Sequence, residues 1–163
     1  MIIAVVAVVI VGLAVSAGGN GGHDGSARSY SDKAYDYFDD GKYQLAIDEY
    51  TTAIRLNPSY TIAYHNRGSA YHNLGQYQLA IEDYDKAIQL DPDNALSYDN
   101  RGIACGSLGQ WQQAIEDFDK AIQLDPDFAQ AYYNRSVGYV QLGQDAEAEA
   151  DYAKACSLDS HWC

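Results

Sequence analysis

Residues 61–94 read TIAYHNRGSAYHNLGQYQLAIEDYDKAIQLDPDN, and residues 95–128 read ALSYDNRGIACGSLGQWQQAIEDFDKAIQLDPDF; the two stretches agree at 22 of 34 positions. The period extends in both directions. Pro58, Pro92 and Pro126 lie 34 residues apart, and so do Gly41, Gly75, Gly109 and Gly143. Self-similarity on this scale divides the chain into units 27–60, 61–94, 95–128 and 129–162 with no insertion between them, and one supersecondary structure must serve all four.

Inside the second unit, Tyr64, Gly68, Ala70, Tyr71 and Leu74 precede Gly75, while Tyr77, Ala80, Ile81, Tyr84, Ala87, Ile88 and Leu90 follow it. The recurrence at i, i+3, i+4 and i+7 is the stripe of an amphipathic helix and not the period of a strand. Gly75 suits the residue between two helices, because without a Cβ it takes the left-handed conformation that ends a helix. Asp91-Pro92 stops the second helix, since proline disfavours helical geometry in the residue before it and opens a new helix well. Gly68, Ala80 and Ala87 are small enough to let the two helices approach while Tyr, Phe or Leu fill the gaps. Each unit is therefore expected to be a helical hairpin, and the chain an all-α stack of four.

These positions resemble the signature of the tetratricopeptide repeat. It reads Tyr64, Gly68, Tyr71, Ala80, Tyr84, Ala87 and Pro92 in the second unit, and Tyr98, Gly102, Cys105, Ala114, Phe118, Ala121 and Pro126 in the third. The first unit keeps Tyr30, Ala34, Tyr37, Ala46, Tyr50, Ala53 and Pro58. The last keeps Tyr132, Tyr139, Ala148, Tyr152 and Ala155, with Ser136 for the small glycine and Ser160 for proline. Asp145 replaces the aromatic that follows the turn elsewhere (Tyr43, Tyr77, Trp111), so a looser last hairpin is expected. The resemblance implies a short right-handed superhelix that binds other proteins and has no catalysis of its own. It also implies a concave groove formed by Ile62, His65, Ser69 and His72, then Leu96, Asp99 and Ile103, then Gln130, Tyr133, Val137 and Val140. No Lys or Arg stands among these. A clamp for an acidic C-terminal peptide is thus not expected. The recurring pairs Asn66-Arg67, Asn100-Arg101 and Asn134-Arg135 read better as partners of nearby acids such as Asp83 and Asp117.

Composition narrows the function further. The chain has 163 residues, 10 Lys and Arg against 23 Asp and Glu, and a net charge of −13. A surface of that sign repels phosphates, and nucleic acid is excluded as a partner because Lys and Arg contacts to phosphate supply most of such affinity. With 47% hydrophobic and 12% aromatic residues, the chain can bury a core. No phosphate loop, nucleophile elbow or metalloprotease motif occurs, so no enzyme, metal or cofactor is expected. His65 and His72 are separated by seven residues, about 10 Å along a helix, too far to share a metal as an i, i+4 pair does. Asp91-Pro92-Asp93-Asn94 and Asp125-Pro126-Asp127 lack the glycine and distal Glu of a calcium loop and read as helix-boundary turns. Asn134-Arg135-Ser136 fits a glycosylation sequon but falls inside a helix, where a structural role is the better reading.

Cys105 stands where the repeat takes a buried aromatic and is read as a small core residue. Cys156 and Cys163 are incidental in a cytosolic protein, but in an exported one they are candidates for a disulfide holding the last helix to the chain end. Each repeat buries its apolar face only against the next, so the last helix is expected to expose parts of Ala148, Tyr152 and Leu158 unless a partner or a second copy covers them.

The first 26 residues differ in character. Residues 2–17 (IIAVVAVVIVGLAVSA) carry no charge, and nine of the sixteen are Ile or Val; GGNGGHDGS, residues 18–26, reads as a flexible linker. Three readings compete for residues 1–17. A secretory signal matches the apolar core and the small residues Val15-Ser16-Ala17, but nothing before Arg28 supplies a basic start. A membrane anchor giving bilayer contact needs about 20 residues, and sixteen helical ones reach about 24 Å of roughly 30 Å. In the third reading the segment is retained for self-assembly through Ile2, Ile3, Val5, Val6, Val8, Val9, Ile10, Val11 and Leu13. An apolar start followed by a globular domain is similar to mature type IV pilin-like subunits, although Val5 stands where those usually carry glutamate. That resemblance implies an exported prokaryotic protein at the cell surface, forming homo-oligomers or a filament with the repeats as its coat. The alternative is a monomeric periplasmic or membrane-tethered adaptor that binds a partner protein's segment.

Overall fold

In every unit the helical stripe becomes a hairpin. A computed structural model describes residues 23–163 as α1 (His23–Asp39), α2 (Tyr43–Leu56), α3 (Thr61–Asn73), α4 (Tyr77–Leu90), α5 (Ala95–Ser107), α6 (Trp111–Leu124), α7 (Ala129–Gln141) and α8 (Asp145–Leu158). A 3-10 turn at Ser160–Trp162 follows. Residues 1–22, with the nine expected self-assembly positions from Ile2 to Leu13, lie outside the described residues.

The turns are set by chemistry legible in the repeat. Gly41, Gly75, Gly109 and Gly143 sit at φ between 72° and 75°, where a Cβ is strained. Around Gly75, the amide of Gln76 donates to Tyr71 O at 2.9 Å and that of Gly75 donates to His72 O at 2.9 Å, satisfying carbonyls that the ended helix leaves open. Between hairpins, Asn57, Asp91, Asp125 and Asp159 each accept from the amide two residues on, at 3.0, 3.4, 3.1 and 2.9 Å. The turn survives in the last unit, where Ser160 replaces proline, because the aspartate makes it.

Close helix approach depends on the small residues. Ala46, Ala80, Ala114 and Ala53, Ala87, Ala121 are wholly buried. A Cβ on Gly68 would meet Tyr84 Cε1 at 2.9 Å, and one on Gly102 would meet Phe118 Cε1 at 2.6 Å, so in these two hairpins a ring lies directly on a glycine. The odd-numbered helices touch one another along the stack, whereas the even-numbered ones touch only their own partner and the first helix of the next hairpin. The stack therefore curves with α1, α3, α5 and α7 on its inside.

The arginines brace the outside. Arg67, Arg101 and Arg135 each grip an aspartate sixteen residues on through Nε and Nη2: Asp83 (2.7 and 2.7 Å), Asp117 (2.9 and 2.5 Å) and Asp151 (2.6 and 2.7 Å). Nη1 reaches sixteen residues back, to Thr51, Asp85 and Asp119. In the first unit Lys33 and Glu49 form the equivalent pair at 2.6 Å. Each fork ties a hairpin together and joins it to the one before, so the expected pairing of these arginines with acids holds.

Three expectations need correction. Helix α1 begins at His23, inside the stretch read as a linker to residue 26, and buried Ala27 and Ser31 hold its first turns against the hairpin. The last hairpin is not looser: α7 and α8 pack as extensively as α3 and α4, because Ala148 and Ala155 keep the small-residue contact without an aromatic at Asp145. Ala148 is accordingly buried and Leu158 half-buried, while Tyr152 stays 41% exposed. Trp162 folds back so that its ring lies 4.7 Å from that of Tyr133, and Tyr152 Oη donates to Cys163 O at 3.2 Å. Cys156 and Cys163 are free thiols, near enough for a hydrogen bond between them that pushes the Cys163 thiol up.

Gly102→Ala tests the ring-on-glycine contact. The added methyl displaces Phe118 and is expected to cost about 1–3 kcal/mol, read as a lower urea midpoint at unchanged m-value.

Candidate functional site

The inside of the curve offers a groove over the odd-numbered helices, with two layers. Ile62, His72, Leu96, Gln130, Tyr133 and Val137 are half-buried, and Val140 is 55% exposed. Tyr35 and Phe38 extend the surface at its first end, bordering a crevice with Asn66 and Ser69 of α3. Both occupy the offsets in residues 27–60 that Ser69 and His72 occupy in the next unit, so the repeat register already pointed to them. Trp162, at the offset that Tyr60 and Phe128 occupy in the first and third units, adds a ring at the far end.

Beneath lies a polar layer that the sequence reading placed on the open surface. His65, Ser69, Asp99 and Ile103 are buried, because the helix of the following hairpin comes down over the residue five places into each first helix. Asn100 Nδ2 lies 3.3 Å from His65 Nε2, and His65 Nδ1 lies 2.9 Å from Ser97 Oγ. With the Asn100 amide donating to Nε2, the ring proton is on Nδ1 and donates to the serine. One repeat on, Asn134 Nδ2 donates to Asp99 Oδ1 at 2.9 Å and Gln130 Nε2 donates to Oδ2 at 3.2 Å. Asn100 and Asn134 thus hold the preceding repeat on the inside while Arg101 and Arg135 do so on the outside. In the last repeat Tyr133 takes this place and meets Trp162.

Burial is the main cause that moves both ionisable groups of this layer towards neutrality, with the charge of Asp117 adding to it at Asp99. It pushes the His65 imidazole down to about 4 and the Asp99 carboxyl up to about 7, the latter partly offset by the amides of Asn134 and Gln130. His72, half-buried beside Tyr77 at 5.1 Å, is lowered for the same reason. At the inner offsets two, five, nine and twelve of each unit the cation among the described residues is Arg28, 4.0 Å from Asp32. The groove is therefore close to uncharged, and its polar floor is already satisfied from within. Among the described residues no cluster of His, Cys, Asp or Glu is arranged to hold a metal ion, and no helix is long and apolar enough to cross a membrane.

Stability should record the buried pair. In the fold Asp99 keeps its proton up to about pH 7, whereas unfolded it ionises near pH 4, so its contribution is full below about pH 4 and is lost as pH rises through 7. His65 acts oppositely: neutral in the fold, it gains a proton below about pH 6.5 when unfolded, and its contribution is lost as pH falls towards 4. The two slopes oppose each other over one window. Asp99→Asn removes the first, so the variant should melt higher than the natural chain at pH 8 and lose that advantage progressively towards pH 4.5. Thermal melts of both chains across this range check it, and parallel profiles would contradict it.

Comparison with known proteins agrees with this geometry. Profiles of the tetratricopeptide repeat match residues 61–94, 95–128 and 129–161, and a TPR repeat profile matches residues 34–75. No curated protein matches the chain in sequence. Among solved structures, a crystal structure of MamA is similar at a TM-score of 0.78 and 27% identity, over 83% of this chain and 79% of that one. The first TPR of Spaghetti (RPAP3) bound to the HSP90 peptide SRMEEVD is similar at 0.72 and 28%, over 74% and 95%. The second TPR domain of human RPAP3, in complex with the HSP70 peptide SGPTIEEVD, is similar at 0.70 and 32%, over 72% and 98%. With the last three units matched in register, the first overlapped by the match from residue 34, and the hairpins stacked as in these structures, the chain belongs to the tetratricopeptide repeat family.

Proposed function

We propose that the chain is a non-enzymatic protein-association scaffold whose inner groove seats a segment of a partner protein. The observation that carries this reading is the division of labour beneath the groove: His65, Asp99, Asn100 and Asn134 satisfy one another, leaving Ile62, Leu96, Tyr133, Val137 and Val140 as surface for shape and apolar contact. Two similar structures hold HSP90 and HSP70 peptides that end in EEVD. In this chain Arg67, Arg101 and Arg135 are engaged with aspartates on the outer side, and an acidic segment in the groove finds little counter-charge. The occupant is therefore an uncharged or basic segment carrying aliphatic or aromatic side chains. In anisotropy titrations with length-matched peptides, such segments should bind at least tenfold tighter than acidic ones. Val140→Glu should weaken binding about tenfold without lowering the melting temperature, and tightest binding by an EEVD peptide would contradict the proposal.

We further infer that the protein is exported and that residues 1–17 join copies into a surface filament with the repeats outside. What supports this is the uncharged Ile- and Val-rich segment ahead of a Gly-rich stretch, in a chain whose repeats carry nearly all of the acidity. A second reading, a monomeric periplasmic or membrane-tethered adaptor, is favoured by Trp162, whose contact with Tyr133 covers the end at which copies would stack. Deleting residues 1–26 separates the two. The helical circular dichroism signal should persist in either case, but loss of fibres seen by electron microscopy for the full chain supports the filament, and a full chain that sediments as a monomer supports the adaptor.

A further inference from the structure

The third repeat lacks a ring that its neighbours have. Eleven residues into each unit stand Tyr37, Tyr71, Cys105 and Tyr139. In the second repeat the Arg67 guanidinium lies between two rings, Tyr64 at 5.7 Å and Tyr71 at 5.9 Å. The fourth repeats this with Arg135 between Tyr132 at 5.5 Å and Tyr139 at 5.8 Å. Arg101 of the third has Tyr98 on one side at 5.5 Å, and the small Cys105 leaves its other face without a ring.

The gap is a cavity. An open space of about 390 Å³ lies on the outer side between α4 and α6, floored by Ile81 and Cys105 and walled by Arg101. That volume falls within the roughly 300–1,000 Å³ of ordinary ligand pockets. In the preceding repeat the corresponding site is filled: Tyr71 packs against the cluster containing Ile47, the counterpart of Ile81. The mouth is polar, lined by Gln78, Gln110 and Gln113, the last standing where the first two repeats carry Leu45 and Leu79. Arg101 does not collapse into the space, since Asp85 and Asp117 hold its guanidinium in the same fork as in the other repeats. The socket is thus held open, with one apolar floor and one unstacked cationic face. Asp85 and Glu116 add negative charge at its edge, on a chain of net charge −13.

We propose that this cavity is a docking socket for one tyrosine side chain of a partner protein, flanked in that partner by basic residues. The ring lies on Ile81 and Cys105 against the open face of Arg101, where attraction between cation and ring adds to apolar burial. Asp85 and Glu116 select for the flanking Lys or Arg. The socket lies on the opposite side of the molecule from the inner groove and does not depend on that groove being occupied.

The test uses the full chain with 4-methylphenol as the probe, followed by methyl resonances of the isoleucines. The expected result is a saturable shift at Ile81 in the millimolar range with none at Ile47, whose site Tyr71 already fills. Cys105→Tyr should supply the missing ring in cis, raise the melting temperature by several degrees and abolish the shift. If that variant does not fold, Gln113→Trp, on the exposed mouth, is the blocking variant, with the same expected loss. A Lys-Tyr-Lys peptide should bind at least tenfold tighter than Glu-Tyr-Glu, and by less at high salt. No shift at Ile81, a shift that persists in the blocked variant, an equal response to 4-methylcyclohexanol, or no preference for the basic peptide would each overturn the proposal.

Discussion

In the two middle hairpins an aromatic ring is seated on a glycine, Tyr84 on Gly68 and Phe118 on Gly102, and this close approach sets the distances on which the other contacts there rely. The ring fills the space that a Cβ would take, so the two helices approach as far as backbone and ring allow. At that separation an arginine on the first helix reaches an aspartate on the second through both arms of its fork, and the same spacing puts Asp85 and Asp119 of the preceding hairpin within reach of Nη1. The first hairpin carries Ala34 at this place and still buries Tyr50 completely, whereas beside Ser136 the corresponding Tyr152 is 41% exposed. The last hairpin holds through its alanines and its Arg135–Asp151 fork instead.

Two polar lattices run along the stack on opposite sides of this apolar contact. The outer one is ionic and partly wet, built of arginine forks whose bidentate geometry a lysine does not reproduce. The inner one is buried and essentially neutral, built of His65, Ser97, Asn100, Asp99, Gln130 and Asn134. A satisfied buried network fixes one register between hairpins, since shifting a helix by a residue would orphan a carboxyl and several amides at once. Its neutrality also bears on function. With the inner polar groups spent on each other, the groove presents shape and apolar surface rather than charge.

Much of this was legible in the sequence because the repeat states each rule several times. The helical hairpins, the left-handed glycines, the boundary turns and the arginine pairing follow from residue chemistry at fixed offsets. The groove was legible only as a set of offsets. The offsets of His65 and Asp99 imply groove lining but both are buried, because whether a side chain there is covered depends on how far the next hairpin leans over it, which is a property of the superhelix and not of the repeat. Helix α1 escapes periodicity, extending back to His23 through residues that look like linker, whereas Trp162 keeps the offset of Tyr60 and Phe128 but folds onto Tyr133 in a way the repeat does not specify. Cys105 shows the reverse limit: a departure from the pattern is easy to see, yet reading it as a small core residue does not reveal the cavity, because that depends on Arg101 being held away by two acids.

The central claim is that the inner groove holds a partner protein's segment. A photoreactive benzoylphenylalanine placed at Val140 of the full chain in its source cells tests it most directly, with one at Arg55 on α2 as the outer control. The account predicts one discrete protein adduct from position 140, mapped by mass spectrometry to a single uncharged or basic segment, and none from position 55. No adduct from position 140, or the same adducts in equal yield from both positions, would contradict it.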